Sequence, residues 1–569
     1  SPATGHAASA AGRALAGLTG IACTILATWL ALHHPLSAGV ALAGVGLLAA
    51  GQALWPPFWL VALPALMPWL GLGAWTGWFG IEEMDLAVLA IAAGAYLRWC
   101  LAPGPRVPAG RGSRCQRAIG TLLLLLWTAS VLVALQRGVA DAGGWIFGWW
   151  QGWREPLNAL RLAKPTLAAW LLLPLWWRLQ QRISAQRCAD LLGLGMALAL
   201  AGVTAWCVWE RWIFTGLLNM ATDYRTTGPF WETHTGGAAL DISLALMLPF
   251  ALRQLWCAQR PVAMAAAAAV LLGGLYAALT TFSRILLVAL PAGAWVFWWL
   301  QRRTGPTAGA EPHARGHTWA ALILCLATAV LGAWMFPTAG YRGALALLGC
   351  ALSMLLVVPR MTRQQTRDRA LTVLLAIALA LPVLALAWVI PKGAYLGYAA
   401  VACCTWALLV LPGATAGRLR LASATFLVQA ACLVMVAVWW GGAQAAPASV
   451  AAGLVLGLAW WRLGARSRPP WPGGRRWFGV TASAMVAVLV GVAVFTAGDF
   501  MSNRLSQAET DRDGRWSHWR DGWALNDGGV ARWLGQGLGR YADLYALNNR
   551  LETRPGDVRL VPIEGAAGM

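Results

Sequence analysis

Residues 261–281 read PVAMAAAAAVLLGGLYAALTT, without one charged side chain. Wound as an α-helix at 1.5 Å per residue, such a run extends about 30 Å, the thickness of a bilayer's hydrocarbon core. The same reading repeats along the chain, at roughly 13–33, 36–54, 57–73, 85–103, 117–136, 165–181, 188–209, 237–256, 285–301, 318–336, 343–358, 370–391, 395–412, 421–440, 447–463 and 477–497. The expected fold is all-α: a polytopic transmembrane helical bundle of about 17 spans over residues 1–497, then a C-terminal extracytoplasmic helical segment over 498–569. Pro64 and Pro68 predict that the third span kinks or re-enters. The run after Arg13 is long enough to span, which predicts a retained first helix rather than a cleaved signal.

Composition supports this class. Only 11% of the 569 residues are charged, against about 25% in soluble domains, so there are too few charges to coat a globule. Lys+Arg 43 against Asp+Glu 22 leaves a formal +21. In a soluble protein that balance would suggest nucleic acid. Here the arginines sit in short loops between apolar runs, so no nucleic-acid partner is expected and the charges report topology. Alternating the loops puts Arg98, Arg106, Arg111, Arg114 and Arg117 on one face with Arg178, Arg182 and Arg187, and with similar groups as far as Arg476. The opposite face holds Glu82, Glu83, Asp85, Asp141, Glu155, Glu210, Asp223 and Glu232. The positive-inside rule makes the first face cytoplasmic. The N-terminus is then cytoplasmic and the C-terminus outside the cytoplasm, as an odd span count also requires. The 11 cysteines lie mostly in or beside apolar runs and form no CxxC pair, so they read as small core residues rather than metal ligands or disulfides.

The face opposite the arginines carries the candidate chemistry. Residues 223–241, DYRTTGPFWETHTGGAALD, gather Asp223, Arg225, Glu232, His234 and Asp241 between two apolar runs. A solvated loop needs only polarity; a cation, carboxylates and a histidine beside two helix ends have a use in a membrane protein. Ser283-Arg284 falls where the ninth span leaves the membrane, and Arg515 lies in the tail. Arginine binds phosphate oxygens bidentately, so Arg225, Arg284 and Arg515 suit a lipid diphosphate at the interface; the competing role is snorkelling or pairing with a loop acid. His234 is a candidate general base, with Glu232 and Asp223 as substitutes. In the tail, residues 504–524 predict a helix with Trp516, Trp519 and Trp523 on one face. Asp511-Arg512-Asp513 offers too few oxygen ligands for a hard cation, so no metal is expected. Gly535, Gly537 and Gly539 lack the preceding strand and following Lys-Ser/Thr of a phosphate loop, which argues against a nucleotide site.

These residues, taken in order, resemble the O-antigen ligase and O-antigen polymerase family. Arg225-Thr-Thr-Gly-Pro-Phe resembles its Arg-x-x-Gly-x-Phe segment, and Leu279-Thr-Thr-Phe-Ser-Arg284 its Thr-x-Ser-Arg element at a helix end. Arg504, Asp511, Arg515-x-x-x-Trp519 and Gly535-x-Gly537-x-Gly539 resemble its periplasmic pattern. The likeness covers roughly residues 160–300 and 499–545; the spans at about 318–463 resemble nothing assigned. The resemblance implies a bacterial inner-membrane glycosyltransferase that moves a glycan from an undecaprenyl-diphosphate carrier to lipid A–core, as ligases do, or to a second repeat unit, as polymerases do. It implies a periplasmic C-terminus, arginines on the diphosphate and no nucleotide, metal or other cofactor. With a sugar substrate in view, Trp231 and Trp519 become candidate stacking surfaces. Family ligases carry a histidine beyond the glycine-rich segment. None follows His518 here, so either the chain is C-terminally incomplete at Met569 or the base lies elsewhere. Two rivals remain: a transporter or flippase of a lipid-linked or anionic substrate, and a non-catalytic membrane subunit of a polysaccharide assembly complex. The first would call for mid-span charges and inverted repeats, of which few and none are evident.

Overall fold

A computed structural model describes the chain except residues 1, 71–80, 103–113, 147, 149–151, 153, 231–237, 305–312, 362–365, 411–414, 466–473, 499, 507, 527 and 549–569. Every regular element among the described residues is helical, with no strand. In order the α-helices are α1 (Pro2–Leu32), α2 (Ala38–Leu54), α3 (Phe58–Leu66), α4 (Glu83–Leu101), α5 (Arg114–Asp141), α6 (Pro156–Gln180), α7 (Ala185–Phe214), α8 (Ala238–Cys257), α9 (Pro261–Thr280) and α10 (Arg284–Thr304). There follow α11 (His313–Val357), α12 (Thr366–Val389), α13 (Gly393–Val410), α14 (Ala416–Gly441), α15 (Ala446–Gly464), α16 (Arg475–Thr496), α17 (Phe500–Ser506), α18 (Ala508–Ala524), α19 (Ala531–Leu534) and α20 (Tyr541–Asn548).

Among the described residues, 11 stretches are long and apolar enough to cross a membrane. Helices dominate because hydrocarbon offers no partner to a backbone N–H or C=O, and only a helix satisfies these groups within one segment. Two of the stretches, Trp319–Arg360 and Ala416–Gly464, are far longer than one crossing and contain a break. In α11 the break is Gly340, at φ 56° and ψ −157°, three residues after Pro337; a side chain there would meet both the left-handed penalty and the Trp440 ring. The apolar helices Ala38–Leu54, Phe58–Trp69 and Arg284–Phe297 are shorter. The expected disturbance of the third span takes the form of a change from α3 to a single 3₁₀ turn, Met67–Trp69, around Pro68.

The chain divides into two compact units, one of residues 1–202, 229–236 and 507–569, the other of 203–228 and 237–506. In the first, α4 packs on α1 and α2. Small residues set the approach: a Cβ on Gly94 would lie 2.2 Å from the Ala49 carbonyl oxygen of α2, as expected where helices associate by close backbone packing. Of the tail, α18–α20 belong to this unit, and Leu538 and Gly539 dock on α5 and α6. In the second, the principal core joins α11, α13, α14, α15 and α16 around Phe426, Leu433, Trp460 and Met485. The spans that resemble nothing assigned thus supply most of this core. α16 also packs on α8 and α9, the helices that carry the polar stretch and the Ser283-Arg284 turn.

Candidate functional site

The site begins with two charges buried at the end of α7, Glu210 at 2% and Arg211 at 0% exposure. Charges at such depth persist only when hydrogen bonds satisfy them. The chain that follows supplies partners to both, and of Arg211 only Nε lacks an acceptor among the described residues. Glu210 Oε1 accepts from the Tyr224 hydroxyl at 2.7 Å and from the Thr227 amide at 3.0 Å, and its Oε2 accepts from the Gly228 amide at 2.7 Å. Arg211 donates to the carbonyl oxygens of Asn219 and, at 3.4 Å, Tyr224. Two further hydroxyls hold the turn, Tyr276 donating to Leu217 O and Tyr341 to Leu218 O, each at 2.6 Å. Burial, and then the hydrogen bond to Glu210 and its charge, push the Tyr224 phenol above its ordinary range, so it remains a donor.

This bracing lays Arg225 and Thr226 along the end of α9. The Thr226 amide donates to Thr280 O at 3.3 Å, and Arg225 Nε donates to Thr281 O at 2.9 Å. Beyond α9 the chain turns through Phe282, which holds φ 51°. Left-handed backbone in an aromatic residue costs on the order of 1–3 kcal/mol and persists where packing overdetermines it. Phe282 is buried among Met220, Val494 and Met501, with the Phe500 ring edge-on at 4.8 Å. The Ser283 amide then donates to Thr281 Oγ1 at 3.2 Å, and α10 starts at Arg284.

Asp241, in the first turn of α8, faces this turn. Its carboxylate is within hydrogen-bond reach of the Ser283 and Thr281 side chains and feels the charge of Arg225. Asp241 Oδ1 is buried and has no hydrogen-bond partner among the described residues. A carboxylate oxygen so placed, beside a guanidinium and two hydroxyls, can accept a proton from a group brought to it.

Among the residues singled out from sequence, Arg225 and Ser283 therefore meet, through Thr281 and Asp241. Arg284 adjoins them, half-buried, and Asp223 is exposed two residues before Arg225. Trp231, Glu232 and His234 lie outside the described residues. Arg515 and Trp519 belong to the other unit, both exposed on α18, with Trp519 at 75% exposure. Glu210 was legible only as a loop acid at a span end, and Arg211 was not singled out; the signal for more was a charge pair inside a 30-residue helix. Asp241 stood in the polar stretch without a role.

The glycine-rich segment has a different task. Gly537 holds φ 105°, and a Cβ on it would lie 2.4 Å from the Gly138 nitrogen of α5. Leu538 N donates to Ala134 O at 2.9 Å, and Asn158 Nδ2 donates to Gly539 O at 3.2 Å. The next residue, Arg540, is 8% exposed; it donates to Asp141 at 2.6 Å, to Asp543 at 2.8 Å and to the Arg154 carbonyl oxygen at 2.9 Å. The segment is a docking joint between tail and helices, and Arg540 was not singled out from sequence.

No family model, curated protein or solved structure matches this chain.

Proposed function

We propose that the chain is a bacterial inner-membrane glycosyltransferase of the O-antigen ligase or polymerase type, moving a glycan from an undecaprenyl-diphosphate carrier to an acceptor hydroxyl on the periplasmic side. The observation that carries this reading is the convergence of Arg225, Ser283 and Asp241 at the helix end that also bears Arg284. It goes with an arrangement of about 17 spans, the N-terminus cytoplasmic and the C-terminus periplasmic, as the loop charges expect.

In this mechanism Arg225 and Arg284 hold the diphosphate of the donor. The acceptor hydroxyl, of lipid A–core or of a second repeat unit, attacks the anomeric carbon. The bond from that carbon to the diphosphate oxygen breaks, and the leaving group departs with the electron pair. The guanidiniums stabilise the charge that grows on it, and they do so most in the transition state. Asp241 takes the acceptor's proton, with His234, Glu232 and Asp223 as the other candidate bases. Trp231, Trp519 and Arg515 are the proposed sugar and second diphosphate contacts.

The test is transfer by the purified protein in nanodiscs, given undecaprenyl-diphosphate-linked repeat unit with and without lipid A–core. Product on lipid A–core identifies a ligase, and longer chains on the carrier a polymerase. Arg284→Ala should abolish transfer while membrane insertion stays intact; full activity in that variant removes Arg284 from the site. No product from wild type under any of these conditions would move the reading to transport or scaffolding.

A further inference from the structure

At the opposite end of α4 from its acidic first turn, three arginines converge. Arg98 is in the last turn of α4, Arg178 in the last turn of α6, and Arg182 in the turn beyond it. Arg178 Nη2 and Arg182 Nη2 each lie 3.4 Å from one acceptor, the Ala102 carbonyl oxygen. The two guanidiniums therefore approach within twice that distance of each other. Arg98 Nη1 reaches back to the carbonyl oxygens of Ala53 and, at 3.1 Å, Leu54. All three side chains line one small cavity with Gln52, Trp59 and Trp99. The Arg178 guanidinium stacks on Trp99, 4.4 Å from the ring centre, which fixes its plane.

Like charges do not gather in a half-buried pocket without compensation. Among the described residues none of the three pairs with a carboxylate; their acceptors are neutral carbonyls, and those of Arg178 and Arg182 are at the weak end of hydrogen-bond length. Arg98 Nε is buried without an acceptor among the described residues. The adjoining residues 103–113 contain arginine but no acid. Asp190, the first carboxylate after Arg182, accepts from Gln186 on its own helix. Burial and the charge of Arg98 hold the Arg182 guanidinium below its ordinary range, the sign of a cation lacking a counter-charge. By contrast, Arg420 in the other unit is paired with Asp368 at 2.7 Å.

We infer that Arg98, Arg178 and Arg182 form a binding site for a phosphoryl group. The cavity is about 30 Å³, room for one or two water-sized groups. It admits phosphoryl oxygens, and the remainder of any larger ligand extends through the mouth. Guanidiniums bind phosphoryl oxygens by paired N–H donors. The phosphoryl group comes either from an anionic phospholipid of the arginine-rich leaflet or from free phosphate; basic pockets between helices take lipid headgroups in this way. The site does not depend on the transferase reading.

The experiment uses the full chain in zwitterionic phosphatidylcholine mixed micelles, titrated with dioleoyl-phosphatidylglycerol or with inorganic phosphate, and reads the thermal unfolding midpoint and lipid retention in native mass spectrometry. Wild type should show a saturable rise with phosphatidylglycerol. An Arg178→Gln/Arg182→Gln double variant should weaken that response at least tenfold, and Arg420→Gln should leave it unchanged. If inorganic phosphate at millimolar concentration reproduces the rise, the ligand is free phosphate; if it does not, the ligand is the lipid headgroup. Should the double variant fail to fold, Arg182→Gln alone, outside any helix, carries the comparison. An equal response to phosphatidylglycerol in wild type and the arginine variants, or no response in wild type to either probe, overturns the site.

Discussion

Two loops in this protein are fastened by a buried arginine, and they are fastened in opposite senses. In the unit that holds the candidate site, the charges belong to a helix: Glu210 and Arg211 of α7 reach into the loop and bind its backbone. In the other unit the charge belongs to the loop: Arg540 reaches back to Asp141 at the end of α5 and to Asp543 in α20. The first arrangement satisfies the charges mostly with main-chain groups, and the loop's Arg225 side chain is directed instead to the end of α9, at Thr281 O. The second consumes the side chains and adds backbone overlap at Gly537. The first loop thus brings Arg225 to the Ser283-Arg284 turn, whereas the glycine motif at the second is accounted for by docking.

The largest expected effect follows from breaking the first brace. Glu210→Ala strands the donors of Tyr224, Thr227 and Gly228 and leaves Arg211 without its neighbouring charge. Removing one member of a buried charged network costs about 3–5 kcal/mol, so the unfolding midpoint should fall sharply in detergent and transfer should vanish. A midpoint within a degree or so of wild type would show that the brace is not structural. Next comes the chemistry beside it. Asp241→Asn preserves shape and removes the base; transfer should drop about 10²–10⁴-fold with the midpoint unchanged. Retained transfer would pass the role to His234, Glu232 or Asp223.

Gly537→Ala sharpens the contrast from the other side. It places a methyl against Gly138 and a side chain at φ 105°, with backbone strain of about 1–3 kcal/mol. Limited proteolysis should show faster cleavage in the tail, whereas loss of transfer with an intact tail would restore a direct role to the glycines. The smallest effect is expected from Tyr224→Phe, which removes one donor of Glu210 and leaves the backbone donors; about 1–2 kcal/mol should be lost. The pH dependence carries the sign of a raised pKa. This stabilisation is complete below the ordinary tyrosine value near about 10 and fades as pH rises past it. Wild type should lose more stability than the phenylalanine variant over that range.

The helices were legible in the sequence because the signal is local. A run such as residues 261–281 must satisfy its backbone internally wherever it meets lipid, and an uncharged, mostly apolar stretch of that length says so without reference to the rest of the chain. The residues of the candidate site were legible in part for a related reason: arginine, serine and threonine at a span end are costly unless used, so Arg225 and Ser283-Arg284 stood out. The helix break at Pro68 was visible because proline marks it, whereas the one at Gly340 was not read from the sequence. Partner choice was not visible, because it depends on which segments pack side by side. Arg225 meets Thr281 across 56 residues, and Arg540 meets Asp141 across 399. A charge in a loop and a charge locked in a brace have the same letters, and only burial separates them. Thus sequence alone determined that the chain is a helical membrane protein and which polar segments interrupt it. Tertiary structure decided that Glu210 and Arg211 shape the loop, that Asp241 rather than Asp223 faces Ser283, and that the glycines serve docking, since each of these is a contact between residues that no local pattern links.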